Sequence, residues 1–276
     1  MSKVAAIQMA SGPNVKANLD EAAKLIKIAV QQEAKLIVLP ENFAIMGMSD
    51  MDKVAAAEKA GGGPMQDFLS EQASRHGVWL VGGTIPVESE EHGKVYAASL
   101  LYNSSGEMVA RYDKIHLFDV TIEANNESYT ESKTITPGDE IVVVDTPFGK
   151  LGLAVCYDLR FPELFRAMAD AGMEICALPS AFTHLTGNAH WESLLRARAI
   201  ENLSFMIAAG QGGYHVNGRE THGDSMIVDP WGVILNRLPH GTGAVVSEID
   251  MEQLGRTRKL FPALHHKRLD CKINFG

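Results

Sequence analysis

The chain has 276 residues, of which 46% are hydrophobic and 21% are charged, and its formal net charge is −9 at pH 7. This length and composition allow a full buried core and are typical of a globular protein. An acidic chain without a basic patch does not favour nucleic-acid binding. No stretch approaches the roughly 20 apolar residues of a membrane span. The three cysteines form no close pair, which predicts a reducing, cytoplasmic location.

Strands and helices alternate in the first half of the predicted structure. Residues 3–10 and 34–40 have the pattern of buried strands, and the segment between them has helical spacing. In that segment Asn18 and Glu21 resemble a capping box at the start of the helix. Residues 61–64 (GGGP) form a break before a helix predicted around 65–75. Further strands are predicted at 78–87, at 95–103 and from the turn at 103–106 to Asp113.

The second half has further hairpins and two amphipathic helices. Residues 119–137 lack clear periodicity and predict a long loop, a length that is more often functional than not. The later elements are a hairpin over 141–158, a helix from Pro162 to Gly172, a strand at 174–182, a helix at 189–202, a strand at 204–210, two strands joined at 230–232 and a last strand at 243–250. This order predicts a single-domain α/β protein with mixed sheets and outer helices.

Three polar residues each follow an apolar strand. They are Glu41 after LIVLP, Lys114 after VARYD and Cys156 after LGLAV. Taken singly, none of them requires a catalytic role: Glu41 fits a solvated loop residue, Lys114 a surface lysine and Cys156 a core thiol. Together they supply a base, a cation and a nucleophile at the strand ends where α/β proteins place active sites. We expect burial to raise the pKa of Glu41, and the helix opening after Cys156 to lower the pKa of its thiol.

Histidine offers a different partner for the cysteine. The chain has ten histidines, and His116 and His190 are the candidates for a Cys/His dyad. The sequence favours structural roles for both. Cys176 lies in the middle of a predicted strand and is expected in the core, whereas Cys271 lies near the terminus and is expected to be exposed.

Three blocks of this chain resemble the signature blocks of the nitrilase superfamily, the carbon–nitrogen hydrolases. They are LPENF (39–43), YDKIHLFD (112–119) and GLAVCYDLRFPEL (152–164). Four further blocks agree, at 131–139, 186–202, 222–232 and 260–268. The resemblance spans the chain, and it implies a four-layer α-β-β-α sandwich with two mixed sheets, one domain over 1–276, and a homodimer or higher homo-oligomer.

The resemblance also implies the roles of the site residues. Cys156 is the expected nucleophile, Glu41 the general base and Lys114 the oxyanion stabiliser, with the backbone N–H of Tyr157 as the second oxyanion donor. Glu131, rather than Glu123 or Glu127, matches the glutamate that orients the lysine and the substrate. The expected reaction cleaves a small amide to an acid and ammonia through a thioester, without a metal or an organic cofactor.

Within the superfamily, residues 156–163, 183–192 and 194–201 look most like the branch containing deaminated glutathione amidase and omega-amidase. Arg160, Thr183 and Thr186 are candidates to hold the substrate carboxylate or other polar groups, because the arginine fork can bind both carboxylate oxygens. A structural ion pair with Glu163 is the alternative for Arg160. The loop at 121–132 lacks the proline–glycine pattern of these relatives, which leaves the pocket shape open.

The resemblance leans toward the deaminated glutathione amidases of this branch, and several other functions are alternatives to that activity. Omega-amidase activity on 2-oxoglutaramate is the first of these, and a carbamoyl-amine or a nitrile is another substrate class. Tyr157 counts against carbamoylputrescine, since relatives that cleave it usually have tryptophan after the cysteine. An interaction protein without catalytic activity is the alternative from another functional class. That alternative predicts the loss of Glu41, Lys114 or Cys156, whereas all three are present.

Overall fold

The computed structural model describes residues 1–122 and 127–269, which form two large mixed β-sheets, two two-stranded sheets and six α-helices. The strands are β1 (Ser2–Gln8), β2 (Leu36–Val38), β3 (Trp79–Val81), β4 (Ile85–Glu88), β5 (Val95–Tyr102), β6 (Met108–Asp113), β7 (Asp119–Ile122), β8 (Glu127–Thr130), β9 (Val143–Thr146), β10 (Gly149–Leu153), β11 (Ile175–Ser180), β12 (Phe205–Gly210), β13 (Gly212–Tyr214), β14 (Glu220–His222), β15 (Ser225–Val228), β16 (Ile234–Leu238) and β17 (Gly243–Ile249). The helices are α1 (Val15–Gln31), α2 (Met51–Ala55), α3 (Pro64–His76), α4 (Pro162–Asp170), α5 (His184–Asn202) and α6 (Met251–Leu260).

Each large sheet has a parallel centre and antiparallel edges. The first has the order β17-β1-β2-β3-β5-β4, with β6 paired to β5, and the second has the order β16-β15-β12-β11-β10-β9. Strands β1, β2 and β3 are parallel, as are β10, β11 and β12. Because β5 is antiparallel to β3 and β6 is antiparallel to β5, β6 runs in the same direction as β2. The carboxyl ends of β2 and β6 therefore point to the same edge of the first sheet.

The four layers follow from the alternation of apolar side chains along the strands. In β1, Val4 and Ala6 pack in the cluster that joins the two sheets, whereas Ala5 and Ile7 pack in the cluster with α1 and α3. Helices α4 and α5 cover the other sheet. The α-β-β-α prediction is confirmed, and the single domain over 1–276 stays a prediction. None of the described helices is long and apolar enough to cross a membrane.

The first helix begins one turn earlier than the sequence pattern indicates. Asn14, rather than Asn18, is the N-cap, and its side chain accepts a hydrogen bond from the Ala17 N–H at 3.0 Å. Asn18 lies inside α1 and is buried, and its Nδ2 donates to the Gly12 and Ala44 carbonyls, both at 2.8 Å. The capping-box prediction is wrong because this asparagine instead ties α1 to the two neighbouring loops.

The long loop predicted at 119–137 is also wrong in part. Strands β7 and β8 pair as an antiparallel ribbon, and a 3₁₀ turn follows at Glu131–Lys133. The pattern is too short to predict the ribbon: Val120 and Ile122 alternate with polar residues in β7, but β8 (ESYT) has no such alternation, and none of the described side chains in either strand belongs to the core. Residues 123–126, which include Glu123, and residues 270–276, which include Cys271, lie outside the described part of the chain.

Candidate active site

Glu41 stands at the carboxyl end of β2, in a turn held by its own backbone contacts. Asn42 follows with φ of 56°, and its N–H donates to the Thr84 hydroxyl at 2.8 Å. The buried Gln211 amide donates to the Glu41 carbonyl at 3.0 Å. These bonds satisfy backbone groups that a buried turn would otherwise leave unpaired, and they fix the direction of the Glu41 side chain.

Lys114 follows β6 and is anchored on both sides of its peptide. Its N–H donates to the Ala97 carbonyl at 3.2 Å, and its own carbonyl accepts from the Gly138 N–H at 2.9 Å. A Cβ on Gly138 would lie 2.2 Å from the Asp113 carbonyl oxygen, so only glycine permits this approach. The Lys114 side chain thereby enters the interior, where the residue is 1% exposed.

The Lys114 ammonium lies between two carboxylates. Its Nζ is 2.8 Å from Glu41 Oε1, and 2.9 and 2.8 Å from the two oxygens of Glu131. Glu131 is itself held by the Phe118 N–H, which donates to Oε2 at 2.7 Å. Burial alone would lower the pKa of Lys114, but the negative charges of Glu131 and Glu41 outweigh it and hold the pKa well above its usual value.

Cys156 sits at a strained turn between β10 and α4. Its φ is 47°, in the left-handed region that non-glycine residues seldom adopt. It begins a 3₁₀ helix, Cys156–Arg160, whose first N–H groups have no preceding helical carbonyl to bond. The N–H of Tyr157 is at the second position of this turn, directly after the cysteine, and Tyr157 lines the cavity, which is the place expected for the second oxyanion donor.

Asp158 organises this turn from inside the core. Asp158 is fully buried, and its Oδ2 accepts hydrogen bonds from the Val155 N–H at 2.8 Å and from the Tyr112 hydroxyl at 2.7 Å. Its Oδ1 accepts from the His116 N–H at 3.0 Å. Asp158 therefore links β6, the segment after Lys114 and the cysteine turn, and its role is structural.

Two pKa expectations from the sequence are wrong in direction. Burial raises the pKa of Glu41, as expected, but the adjacent Lys114 ammonium and the Cys156 thiol together lower it below the usual value. Burial raises the pKa of the Cys156 thiol well above its usual value, and the negative charge of Glu41 raises it further. The resting pair is therefore a neutral thiol beside a carboxylate, which is the protonation state that general-base activation requires.

All eight residues predicted for the site line one cavity of about 440 Å³. These are Glu41, Lys114, Glu131, Cys156, Tyr157, Arg160, Thr183 and Thr186. The structure thus brings together side chains from both sheets and from the segment that follows β8. Glu127 also lines the cavity, but its carboxylate accepts from the Tyr129 hydroxyl at 2.6 Å rather than contacting the lysine.

Arg160 lies on the cavity wall formed by α5 and the cysteine turn. Its Nη1 is 3.1 Å from His190 Nδ1, and its guanidinium stacks near the rings of Phe182 and Tyr157, at 5.2 and 5.8 Å from their centroids. Within the described chain it forms no ion pair with Glu163. The structural ion pair with Glu163 is therefore not formed, and the substrate-binding role of Arg160 stays a prediction.

The two threonines combine a capping contact with a place in the cavity. Thr183 is the N-cap of α5, and its hydroxyl is 2.8 Å from that of Thr186 and accepts from the Thr186 N–H at 3.4 Å. This cap also explains why α5 begins at His184 instead of near residue 189. One of the two hydroxyls can still donate into the cavity.

The histidines do not form a dyad with the cysteine. His116 Nδ1 is 2.7 Å from Asp158 Oδ1, and its ring stacks on Phe161 with centroids 3.7 Å apart. His190 contacts Arg160. Neither ring lines the cavity in the described structure. Over residues 1–122 and 127–269, no group of three or more His, Cys, Asp or Glu side chains is arranged to hold a metal ion.

Two cationic side chains of the cavity were not identified from the sequence. Lys53 comes from the short helix α2, and Arg219 comes from the turn between β13 and β14. Neither follows an apolar strand, and neither lies in a block with a recognisable pattern. Only their convergence on one cavity in the folded chain distinguishes them from surface cations.

Comparison with known proteins places this geometry in context. The family model described as carbon-nitrogen hydrolase matches residues 3–259. A deaminated glutathione amidase of Yersinia enterocolitica is 43% identical over 268 residues, which cover 97% of this chain and 93% of that protein. The chain is also similar to the NitFhit protein of C. elegans (TM-score 0.88, 34% identity, 97% of this chain and 65% of that one). Nit3 of Saccharomyces cerevisiae, a member of branch 10 of the nitrilase superfamily, has a TM-score of 0.85 and 32% identity, over 95% of this chain and 94% of that one.

Proposed function

The chain belongs to the carbon–nitrogen hydrolase family, and we propose that it hydrolyses a small linear amide through a thioester on Cys156. The observation that carries this proposal is the single cavity in which the Cys156 thiol, the Glu41 carboxylate and the Lys114 ammonium meet. A base, a nucleophile and an oxyanion partner are the groups that acyl transfer needs.

Acylation begins with proton transfer from the Cys156 thiol to Glu41. The sulfur attacks the amide carbon, and the carbonyl oxygen gains negative charge that Lys114 and the Tyr157 N–H stabilise. Glu41 then gives its proton to the nitrogen as the C–N bond breaks. The amine departs, and an acyl thioester remains on Cys156. Glu131 positions Lys114 for this step through its two bonds to the ammonium.

Deacylation uses the same groups in reverse order. Glu41 takes a proton from water, and the resulting hydroxide attacks the thioester carbon. The oxyanion is again held by Lys114 and the Tyr157 N–H. Collapse of this intermediate breaks the C–S bond and releases the carboxylic acid, and Glu41 gives its proton to the departing sulfur, which restores the thiol and the carboxylate. No group other than water has to enter the cavity between the two steps.

Deaminated glutathione is the substrate that we propose, supported by the relatives' activity and by the cations of the cavity. This molecule is a 2-oxoglutaryl group joined by a secondary amide to cysteinylglycine. Its hydrolysis therefore releases an amine, cysteinylglycine, rather than the ammonia expected from the sequence for a primary amide. 2-Oxoglutaramate carries the same acyl group on a primary amide, so both substrates pass through the same thioester.

Release of 2-oxoglutarate tests this assignment. We expect the protein to release it from deaminated glutathione with kcat/KM within the ordinary enzymatic range of about 10⁴–10⁸ M⁻¹s⁻¹, and less efficiently from 2-oxoglutaramate. The measurement is enzyme-coupled detection of 2-oxoglutarate, with cysteinylglycine and ammonia determined in parallel. Turnover of 2-oxoglutaramate alone would assign omega-amidase activity instead, and turnover of neither would refute both.

We also propose that the protein is cytoplasmic and forms a homodimer. Buried, unpaired Cys156 and Cys176 support a reducing compartment. An apolar patch supports the dimer, and it consists of Ile200, Trp231, Val233 and Phe261. Trp231 is 60% exposed, and its ring contacts that of Phe261 at 5.6 Å between centroids. An exposed patch of this kind is typical of a protein interface.

Light scattering after size-exclusion chromatography measures the oligomeric state. We expect a dimer for the unmodified protein and a monomer for Trp231→Glu, because the substitution buries a charge in the interface. Ile28→Glu introduces the same charge at an exposed position of α1, in the other outer layer, and should leave the dimer intact. A monomeric unmodified protein would contradict the proposal.

A further inference from the structure

The cavity carries cations on two different walls. Arg160 lies on one wall, against Phe182, Tyr157 and His190. Lys53 and Arg219 lie on another, formed by the segment 46–53 and the turn between β13 and β14. The Asn217 amide joins these two segments by donating to the Gly47 carbonyl at 2.7 Å. The reaction proposed above uses Lys114 but assigns nothing to Lys53 and Arg219.

Arg219 is held in place by contacts other than an ion pair, and no carboxylate in residues 1–122 and 127–269 pairs with it. Its guanidinium lies over the Tyr129 ring, 4.8 Å from the centroid, and its Nη1 is 4.0 Å from Met46 Sδ. Its Nε is buried, and no atom within the described chain accepts a hydrogen bond from it. The guanidinium also lines the cavity, and its charge is not neutralised by a carboxylate of the described chain, so it can bind an anionic group of a ligand there.

Lys53 faces the same space. The side chain is partly exposed to the cavity, and in the described structure it has no carboxylate within ion-pair distance. Burial lowers its pKa, and the positive charges of Arg219 and Lys114 add to that effect, although Glu131 and Glu41 oppose it. Two neighbouring cations that repel each other are an anion-binding arrangement, because a carboxylate bound between them would offset the repulsion.

The position of Glu41 decides which end of the substrate this wall contacts. Glu41 delivers the proton to the departing nitrogen, so the leaving group lies on the Glu41 side of the thiol. Glu41 and the segment 46–53 that follows it line the same part of the cavity wall along one stretch of chain, whereas Arg160 belongs to the cysteine turn and contacts Tyr157, Phe182 and His190. The Lys53 wall is therefore the leaving-group side, and the Arg160 wall is the acyl side.

We infer that Lys53 and Arg219 form a second anion subsite, which binds the carboxylate at the leaving-group end of the substrate. This inference rests on the proposed function and extends it, because it explains how the cavity distinguishes a dipeptide-like leaving group from ammonia. A substrate with a carboxylate at each end, such as deaminated glutathione, would bind both walls with the scissile amide between them.

A pair of substrates that differ in one carboxylate tests the subsite. The first is deaminated glutathione, and the second is its analogue in which a methyl group replaces the glycine carboxylate. We expect Lys53→Met to reduce kcat/KM for the first by about 10- to 100-fold, the range for a hydrogen bond to a charged group. The analogue, which lacks the carboxylate, should lose less than about twofold, because nothing that it contacts has been removed. The loss should appear mainly in KM.

Three variants serve as comparisons. Arg219→Gln should repeat the pattern of Lys53→Met, and Lys53→Arg should restore most of the preference for the carboxylate. Lys59→Met removes a charge at an exposed position near α2 and should change neither substrate. If Lys53→Met reduces both substrates equally, the lysine serves the electrostatics of Glu41 and Glu131, and the subsite is refuted.

Failure of the subsite and failure of the proposed function are distinguishable. If the unmodified protein cleaves both substrates with equal kcat/KM, the leaving-group carboxylate is not recognised, and only the subsite is refuted. If it releases 2-oxoglutarate from neither, the proposed function falls and the subsite with it. A preference for deaminated glutathione that Lys53→Met and Arg219→Gln abolish supports both.

Discussion

Replacing Cys156 with alanine should lower kcat by about 10⁴- to 10⁶-fold, the loss seen when a catalytic nucleophile is removed. The acyl group then has no acceptor, and water must attack the amide directly. Because Cys156 is 8% exposed and its φ is 47°, alanine removes the thiol without opening a large cavity and with the same backbone strain. The measurement is single-turnover release of 2-oxoglutarate with enzyme in excess.

Cys176 provides the matched control for that substitution. It is fully buried in β11, where it packs in the core that joins the two sheets, and it does not line the described cavity. Cys176→Ala should keep kcat within about threefold while losing about 1–2 kcal/mol of unfolding free energy, the usual cost of a small core truncation. Equal activity losses in the two variants would mean that folding, rather than the Cys156 thiol, limits the reaction.

Lys114→Met should destabilise the protein and inactivate it together. Removing one partner of a buried ion pair typically costs about 3–5 kcal/mol, because the other charge stays buried and uncompensated. Here two carboxylates, Glu41 and Glu131, would lose the same ammonium. Loss of one oxyanion partner alone costs about 10²–10³ in kcat. Urea denaturation and kcat measured on the same preparations report both effects.

The pH dependence of this loss has a definite sign. In the unmodified protein the pKa of Glu41 is lowered from 4.5, so its charge stabilises the folded state above that value and the contribution is lost as pH falls through the folded pKa. Without Lys114, burial and the nearby negative charge of Glu131 raise the pKa of Glu41 in the folded state. The variant then takes up protons on folding. Its loss of unfolding free energy relative to the unmodified protein should therefore be smaller at pH 5 than at pH 7.

Lys133→Met is the control for the charge change. Lys133 is exposed in the same 3₁₀ turn as Glu131, so its substitution should leave stability within about 0.5 kcal/mol of the unmodified protein. A Lys114→Met protein as stable as that control at pH 7 would contradict the buried network, since no uncompensated charge would then exist.

The positions of the predicted catalytic groups could be read from the sequence, but their protonation states could not. Glu41, Lys114 and Cys156 each end an apolar strand, and this local pattern indicates the edge of a sheet. The pKa of each group depends on partners far along the chain, such as Glu41, which is 73 residues from Lys114. For Glu41, burial alone predicts a raised pKa, but the ion pair with Lys114 outweighs burial and the pKa is lowered. For Cys156, the helix opening after it predicts a lowered pKa, but desolvation outweighs that effect and the pKa is raised.

Lys53 and Arg219 show a second limit of sequence analysis. Helix α2 has no buried residue, and the turn between β13 and β14 has no apolar periodicity, so neither segment carries a signal of function. Their convergence depends on tertiary contacts such as the Asn217–Gly47 hydrogen bond. The β7–β8 ribbon is missed for a related reason, because each strand has only four residues and no buried side chain to mark it in the sequence.

The thioester on Cys156 is tested most directly by mass spectrometry of a Glu41→Gln variant, acid-quenched at intervals during a single turnover of deaminated glutathione. Glutamine cannot accept the proton of the thiol or activate water, so both steps slow by about 10²–10⁴-fold, and the intermediate becomes observable. The account predicts one 2-oxoglutaryl group on the peptide that contains Cys156, identical to the adduct formed from 2-oxoglutaramate and absent when Cys156 is alanine. Formation of 2-oxoglutarate with no acylated Cys156 peptide at any time, or with the acyl group on another residue, would contradict it.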